Sequence, residues 1–376
     1  MLYLLLTWIA TPWLLLRARL GRSLVPQRVV VLQTAKIGDF IATIPVLHEL
    51  RRRLPLAEIT VVVHPVNVPL ARPLKCINRV LALEPFGFRG LRGKVWLWRI
   101  LGQYGDSVLV LSPNLSTFLV PLWAGMGRRV SVLPDRRIGS SRFAYPLLTY
   151  GEPHLSGRLF RDTALAALTG LAPAGTAPAL PTLEIVQTVA GVGKAEGLLK
   201  DLPGPLVGLG IGAGNRLKAM SVAQLEVMTR ALLERTQASL VLVGTEQDVA
   251  AASDLVRCGG ATRVRSTAGM CSLDELPALL ARLDCFIGVD SGATYIADAV
   301  GVPVVDFMGP ADADDQRPTG PEAVIFRASL PCAPCSHTFA APYSCAIGTR
   351  ACISSINVSA AVDAVVSILR GRNTKK

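Results

Sequence analysis

An apolar run, Asp284-Cys285-Phe286-Ile287-Gly288-Val289, ends in Asp290-Ser291-Gly292 and passes at once into a helical stretch from Ala293 to Val300. A buried strand that stops in a short polar turn and opens a helix has few folds available. The helix crosses back over a sheet, and its first backbone N–H groups and positive dipole end face whatever anion sits beyond the strand. A second apolar run, Pro303-Val304-Val305-Asp306-Phe307, leads into Met308-Gly309-Pro310-Ala311-Asp312. Two successive strands therefore end in glycine-containing turns on one edge of an expected parallel sheet, the edge where ligands of such sheets lie.

An Asp-Ser-Gly turn alone also serves where the backbone merely needs a left-handed residue. The unit recurs, however. Arg28 to Gln33 runs into Thr34-Ala35-Lys36-Ile37-Gly38-Asp39 and a helix, and Pro205 to Gly210 runs into Ile211-Gly212-Ala213-Gly214-Asn215-Arg216-Leu217-Lys218 and a helix. These units open two series of alternating strands and helices, which describes two nucleotide-binding halves of an α/β protein. A length of 376 residues suits two domains rather than one core.

The strands expected in the first half are Arg28 to Gln33, Ile59 to His64, Arg79 to Leu83, Ser107 to Leu111 and Arg129 to Leu133. In the second half they are Pro205 to Gly210, Ser239 to Val243, Thr262 to Arg265, Asp284 to Val289 and Pro303 to Phe307. The Pro-, Ala- and Gly-rich segment Leu171 to Pro181 reads as a linker. Ser221 with Gln224 and Ser272 with Glu275 have capping-box spacing. The domains expected are 1–27, 28–182, 183–356 and a C-terminal helix and basic tail at 357–376, the helix (Ser359 to Leu369) lying across the domain junction.

Met1 to Leu16 carries no charged residue, and Arg17, Arg19, Arg22 and Arg28 follow it. As a helix it would be roughly 24 Å long, shorter than the roughly 30 Å hydrocarbon core of a bilayer. Positive charge after the apolar stretch argues against a signal peptide. Trp8 and Trp13 suit a headgroup interface and the arginines an anionic leaflet, so a membrane-surface helix is expected, with a buried first helix as the alternative. A formal charge of +12 points to an anionic partner. No nucleic-acid motif accompanies it, so lipid and phosphate rank ahead of nucleic acid.

Four of eight cysteines crowd into Cys332, Cys335, Cys345 and Cys352. A pair two residues apart followed by two more has a loosely zinc-like spacing, so structural zinc and free or redox-labile thiols both stand as readings. The other four sit in expected strands and helices, where cysteine acts as a small buried hydrophobe.

In the order and spacing of several short pieces the chain resembles the ADP-heptose:lipopolysaccharide heptosyltransferases of glycosyltransferase family nine. The pieces are Ile37-Gly38-Asp39 with Thr43-Ile44-Pro45, Lys218-Ala219-Met220-Ser221, Val243-Gly244-Thr245-Glu246, and Asp290-Ser291-Gly292 through Gly309-Pro310. They span Val29 to about Ile356.

The resemblance implies a GT-B fold, two Rossmann-like domains facing a central cleft, and an inverting transfer that requires no cofactor. It implies a nucleotide-sugar donor of the ADP-heptose kind, an anionic glycolipid acceptor, and a place on the inner face of the bacterial inner membrane. Asp39 then matches the proposed catalytic base, and its plain alternative is a helix cap. Lys218 matches a phosphate-contacting lysine, Glu246 a ribose partner, and Asp290, Ser291 and Gly292 the diphosphate turn. Lys36 offers a further phosphate contact or a partner for Asp39. Arg89, Arg92 and Lys94 fall where the family gathers positive charge for the acceptor.

Two positions depart from the family. Tyr295 stands where members carry histidine, and Gln316 where many carry an aromatic residue before Arg317-Pro318. Tyrosine keeps a hydrogen-bond donor but not a cation at neutral pH. Three alternatives follow: a relative using another nucleotide sugar, a non-catalytic membrane-tethered nucleotide-sugar-binding protein, and, on charge and cysteines alone, a zinc-stabilised nucleic-acid binder.

Overall fold

A computed structural model describes residues 2–84, 87, 90–135, 139–173 and 185–373. The chain divides into two units, Met1–Leu183 and Glu184–Lys376. Most of the expected linker falls outside the described residues.

Among the described residues of the first unit, β1 (Arg28–Gln33), β2 (Glu58–Val63), β3 (Arg79–Ala82), β4 (Ser107–Val110), β5 (Arg128–Leu133) and β6 (Tyr150–Pro153) form one sheet in the order β3-β2-β1-β4-β5-β6. Every pairing is parallel. In the second unit β7 (Leu206–Gly210), β8 (Ser239–Val243), β9 (Val264–Ser266), β10 (Cys285–Val289), β11 (Val304–Gly309) and β12 (Val324–Arg327) form a sheet ordered β12-β11-β10-β7-β8-β9, again all parallel. Both are the doubly wound order, with a switch point between β1 and β4 and between β7 and β10. The central strands are apolar runs rather than alternating patterns because helices cover both faces.

Ten strands follow the sequence expectation to within two residues at either end. The two it does not contain, β6 and β12, are four-residue edge strands, half-buried or exposed. β6 includes Gly151 and Pro153, residues that weaken a strand signal and belong at edges. Ser221 and Gln224 form the expected capping box at the start of the helix Val222–Arg235. Ser272 and Glu275 do not cap a helix. Glu275 accepts from Ser272 N at 2.9 Å within a turn, and the short helix begins at Leu276.

The helix Val358–Asn373 lays Ala361, Val362, Val365 and Leu369 into the second unit's core beside Leu225, Leu232 and Val305. Its apolar spacing is that of a helix buried on one side, and the side is this unit's own sheet.

The first helix, Leu2–Leu20, packs one face on the protein, as in the alternative of a buried first helix. Leu4, Thr7, Leu14 and Ala18 lie on one face and are buried, packed with Phe118, Leu119, Leu122 and Leu147. Trp123 Nε1 donates to Thr7 Oγ1 at 2.9 Å, and Trp8 Nε1 to the Phe143 carbonyl at 3.2 Å. The opposite face exposes Leu2, Leu5, Leu6, Ile9, Trp13, Leu16 and Leu20. The sequence is apolar on both faces because one is core. Among the described residues no helix is long and apolar enough to cross a membrane.

Candidate functional site

At the switch point of the second unit the two adjacent strands β7 and β10 deliver their following loops to the same edge. The loop after β7 is shaped by Asn215. Its Oδ1 accepts from Leu217 N at 3.1 Å, its carbonyl accepts from Lys218 N at 2.9 Å, and its Nδ2 donates to the Pro342 carbonyl at 2.8 Å. This turn carries Lys218 to Asp290 at the end of β10, where Lys218 Nζ donates to Asp290 Oδ2. Both side chains are mostly buried. Asp290 Oδ1 accepts from the Tyr295 hydroxyl at 3.0 Å. Ser291 is the N-cap residue of the helix Gly292–Ala299, but its hydroxyl is not used as a cap and meets Thr294 Oγ1 at 3.2 Å. The first N–H groups of that helix are thus aimed beyond β10 beside a lysine and a carboxylate.

Beneath this pair lies a group the sequence reading passed over. Asp306 interrupts the apolar strand β11 and is fully buried, and neither carboxyl oxygen has a hydrogen-bond partner. Burial first, and then the neighbouring Asp290, push its carboxyl well above the usual range, with Lys218 opposing. Burial there disfavours the charged carboxylate. Burial likewise raises the Tyr295 hydroxyl well above its ordinary value, Asp290 and Asp306 adding to it, while a hydrogen bond from Gln316 opposes. The two positions that depart from the family pattern therefore touch each other.

After β8, Glu246 is exposed in the turn Glu246–Asp248. Asp248 Oδ2 accepts from Thr245 N and Thr245 Oγ1, both at 2.8 Å. That carboxylate occupies the space a side chain at Gly212 or Gly244 would need, since a Cβ on Gly212 would lie 2.5 Å from Asp248 Oδ2. Glycine is required at these turns for close approach rather than for flexibility.

In the first unit Asp39 sits in the first turn of the helix Ile37–Arg53, where the helix dipole favours the ionised carboxylate. Lys36 is the exposed N-cap residue, without a side-chain cap. The turn before them is fixed by three polar residues that sequence reasoning missed. Buried Gln33 donates to the Asp39 carbonyl at 3.3 Å and accepts from Ser112 Oγ at 2.6 Å. Ser112 Oγ in turn accepts from Thr34 N at 2.9 Å, and buried Asn67 donates to the Ala35 carbonyl at 2.9 Å. Ser112 follows β4, so the switch point of this sheet also builds the loop that presents the site residue. A polar residue ending an apolar strand, Gln33, was the available signal.

Of the expected acceptor residues, Arg89 lies outside the described residues. Arg92 is exposed near the start of the helix Gly90–Tyr104. Lys94 donates to the Gly90 carbonyl at 3.1 Å and stands 5.3 Å over the Tyr3 ring of the first helix. The helix Gly90–Tyr104 follows edge strand β3, two strands from β1, and Asp39 lies on the helix that follows β1.

Cys332, Cys335, Cys345 and Cys352 are close enough to influence one another. Burial, followed by the neighbouring thiols, raises Cys335 and Cys352, while backbone N–H groups, Arg350 first, lower Cys345. Among the described residues, the group of His, Cys, Asp and Glu donors that all fall within 4.8 Å of one another is Asp312, Asp315 and His337.

Residues 217–342, which include Lys218, Asp290, Tyr295, Gln316 and His337, match the model of glycosyltransferase family 9 (heptosyltransferase). Lipopolysaccharide heptosyltransferase 3 of Escherichia coli is 24% identical over 308 residues, 77% of this chain and 85% of its own. Among solved structures, a family 9 glycosyl transferase from Veillonella parvula superposes with a TM-score of 0.73 at 19% identity, covering 93% of this chain and 99% of that one. The E. coli ADP-heptose lps heptosyltransferase II gives 0.69 at 19% identity, covering 92% and 99%. E. coli heptosyltransferase WaaC with ADP-2-deoxy-2-fluoro heptose gives 0.61 at 16% identity, covering 80% and 93%. At such identities the structures speak for the fold, two parallel-sheet α/β domains like those of GT-B heptosyltransferases. With the family model and the curated relative beside that fold, the chain is similar to the heptosyltransferases of glycosyltransferase family 9, and the similarity indicates a glycosyltransferase.

Proposed function

We propose that the chain is an inverting heptosyltransferase-like enzyme that moves a sugar from a nucleoside diphosphate to an anionic glycolipid of the lipopolysaccharide kind. The observation that carries this reading is the Lys218–Asp290 pair beside the open N-terminus of the helix Gly292–Ala299, at the switch point of the second sheet. A diphosphate there accepts from the Ser291-Gly292 backbone and takes Lys218 as counter-charge. Asp290, relieved of the lysine, keeps the Tyr295 hydroxyl and turns its other oxygen to a donor hydroxyl. Glu246 serves the ribose. WaaC, a structural neighbour, is described with an ADP-sugar analogue, which favours adenine as the base.

In the transfer, Asp39 takes the proton of the acceptor hydroxyl as its oxygen bonds to the anomeric carbon. The carbon–oxygen bond to phosphate breaks on the opposite side, and the electron pair leaves with the diphosphate. Lys36, Arg92 and Lys94 supply positive charge for an anionic acceptor. The exposed apolar face of the first helix, with Arg17 and Arg19 at its end and exposed Leu91, Val95 and Trp98 on the helix next to it, rests on an anionic lipid surface, the cytoplasmic leaflet of the inner membrane. A thermal-shift series of nucleoside diphosphates tests the donor side. A ligand at about 100 times its dissociation constant stabilises by about 2.7 kcal/mol. A shift with ADP larger than with adenosine supports the reading, and no shift with any nucleoside diphosphate contradicts it.

A further inference from the structure

The loop that follows β11 holds a second cluster, separate from the Lys218–Asp290 pair. His337 Nδ1 lies 3.1 Å from Asp312 Oδ2 and 3.4 Å from Asp315 Oδ2. The three side chains are 10%, 12% and 5% exposed. The short separations are not matched by angles, and His337 Nδ1 makes no hydrogen bond. An imidazole nitrogen nine-tenths buried, aimed between two carboxylate oxygens yet bonded to neither, is spaced as a ligand rather than as a donor. Ligands at about 2.1 Å from one ion stand about 3.0 Å apart when cis in an octahedron and about 3.4 Å apart in a tetrahedron. The observed separations of 3.1 and 3.4 Å lie within that range.

The surroundings hold these atoms from behind. Asp314 N donates to Asp312 Oδ1 at 3.0 Å and Thr338 N to Asp315 Oδ2 at 3.3 Å, so backbone groups orient the carboxylates. Asp312 N donates to the Ser336 carbonyl at 2.9 Å, and Ala311 pairs with Ser336 in a parallel bridge, which fixes the two segments side by side. Two more buried oxygens in these segments, Gln316 Oε1 and Thr338 Oγ1, have no hydrogen-bond partner.

We infer that Asp312, Asp315 and His337 form a binding site for a divalent first-row cation that clamps the loop after β11 to the segment Ser336–Thr338. Two carboxylates and one imidazole suit an ion such as Mn2+ better than a thiolate-seeking ion. The cation would neutralise both carboxylates and leave the imidazole uncharged. Gln316, which also meets Tyr295, begins at the end of this clamped loop, so the ion would stiffen the approach to the donor side without touching the reacting atoms.

Titration of the full-length protein with Mn2+, followed by loss of the free-ion electron paramagnetic resonance signal, is expected to give one site per chain. Pulsed measurements on the bound ion are expected to show coupling to a single imidazole nitrogen. Asp315→Asn and His337→Gln should each weaken binding by roughly tenfold or more. A variant with Cys332, Cys335, Cys345 and Cys352 all changed to serine should bind as before. No binding at millimolar Mn2+, a bound ion without nitrogen coupling, or binding lost in the cysteine variant and kept in His337→Gln would each overturn the site and leave a histidine–aspartate ion pair. The nitrogen coupling is read on unaltered protein, so the test stands even if a variant fails to fold.

Discussion

At the residue scale the switch point of the second sheet stacks three ionisable groups whose states differ by environment. Lys218 and Asp290 pair at the surface of the stack, and Asp306 lies beneath them in β11 without a partner. On the proposed reading Lys218→Ala removes a charge-assisted contact to phosphate worth about 1.5–3 kcal/mol, so calorimetry should show a roughly 10- to 100-fold loss of nucleoside-diphosphate affinity with little change for the nucleoside. Equal losses for both ligands would move the lysine away from the phosphates. Asp306 makes a statement about pH. Its folded-state pKa is raised, so between its ordinary value and the raised one the folded chain holds a proton that the unfolded chain releases. Stability from this group is therefore full below the ordinary carboxylate range and is lost as pH rises. Asp306→Asn, which mimics the neutral acid, should melt close to wild type at pH near 4 and increasingly above it toward neutral pH. A constant deficit at every pH would mean that Asp306 is ionised in the fold. Its place in Val304-Val305-Asp306-Phe307 was visible in the sequence as a carboxylate inside an apolar run. That it lies under Asp290 was not, because only the sheet order brings β10 and β11 side by side.

At the scale of elements, strand–turn–helix units were legible because apolar runs, glycine turns and caps report local physics. Edge strands β6 and β12 were not, since a short half-exposed strand has no pattern apart from its neighbour. Gly309 ends β11 with φ +51, and a Cβ there would lie 2.3 Å from Ile353 Cδ1. Gly309→Ala should therefore cost about 1–3 kcal/mol through backbone strain and overpacking, seen as a lowered denaturant midpoint. An unchanged midpoint would show that Ile353 gives way. The first helix was read as apolar on every face, which is true, but composition cannot say that Leu4, Leu14 and Ala18 are core while Ile9, Trp13 and Leu20 are not. Removing it uncovers Phe118, Leu119 and Leu122, and burying each large apolar side chain contributes about 1.5–3 kcal/mol. Truncation should thus lower the melting temperature markedly. Trp13→Glu, on the exposed face, should instead keep stability and reduce sedimentation with anionic vesicles. Loss of fold from Trp13→Glu would place that face in contact with protein.

At the scale of the whole molecule there are two doubly wound sheets, and on the proposed reading Asp39, after β1, is the base and the loops after β7 and β10 are the anion site. Each site stands at the switch point of its sheet, which explains why residues distant in sequence, Gln33 with Ser112 and Lys218 with Asp290, meet. Net charge of +12 and the arginines at and after the end of the first helix fit a substrate presented at an anionic surface. The central claim is that these parts perform an acceptor-dependent transfer with Asp39 as base. The direct measurement is nucleoside-diphosphate release from ADP-heptose, with and without a lipopolysaccharide-core acceptor, for wild type and Asp39→Asn, alongside the donor affinity of both. Wild type should release ADP only when acceptor is present, and Asp39→Asn should bind donor equally while losing most of the turnover. Donor binding in wild type with no acceptor-dependent release would contradict the account and make the chain a nucleotide-sugar-binding protein.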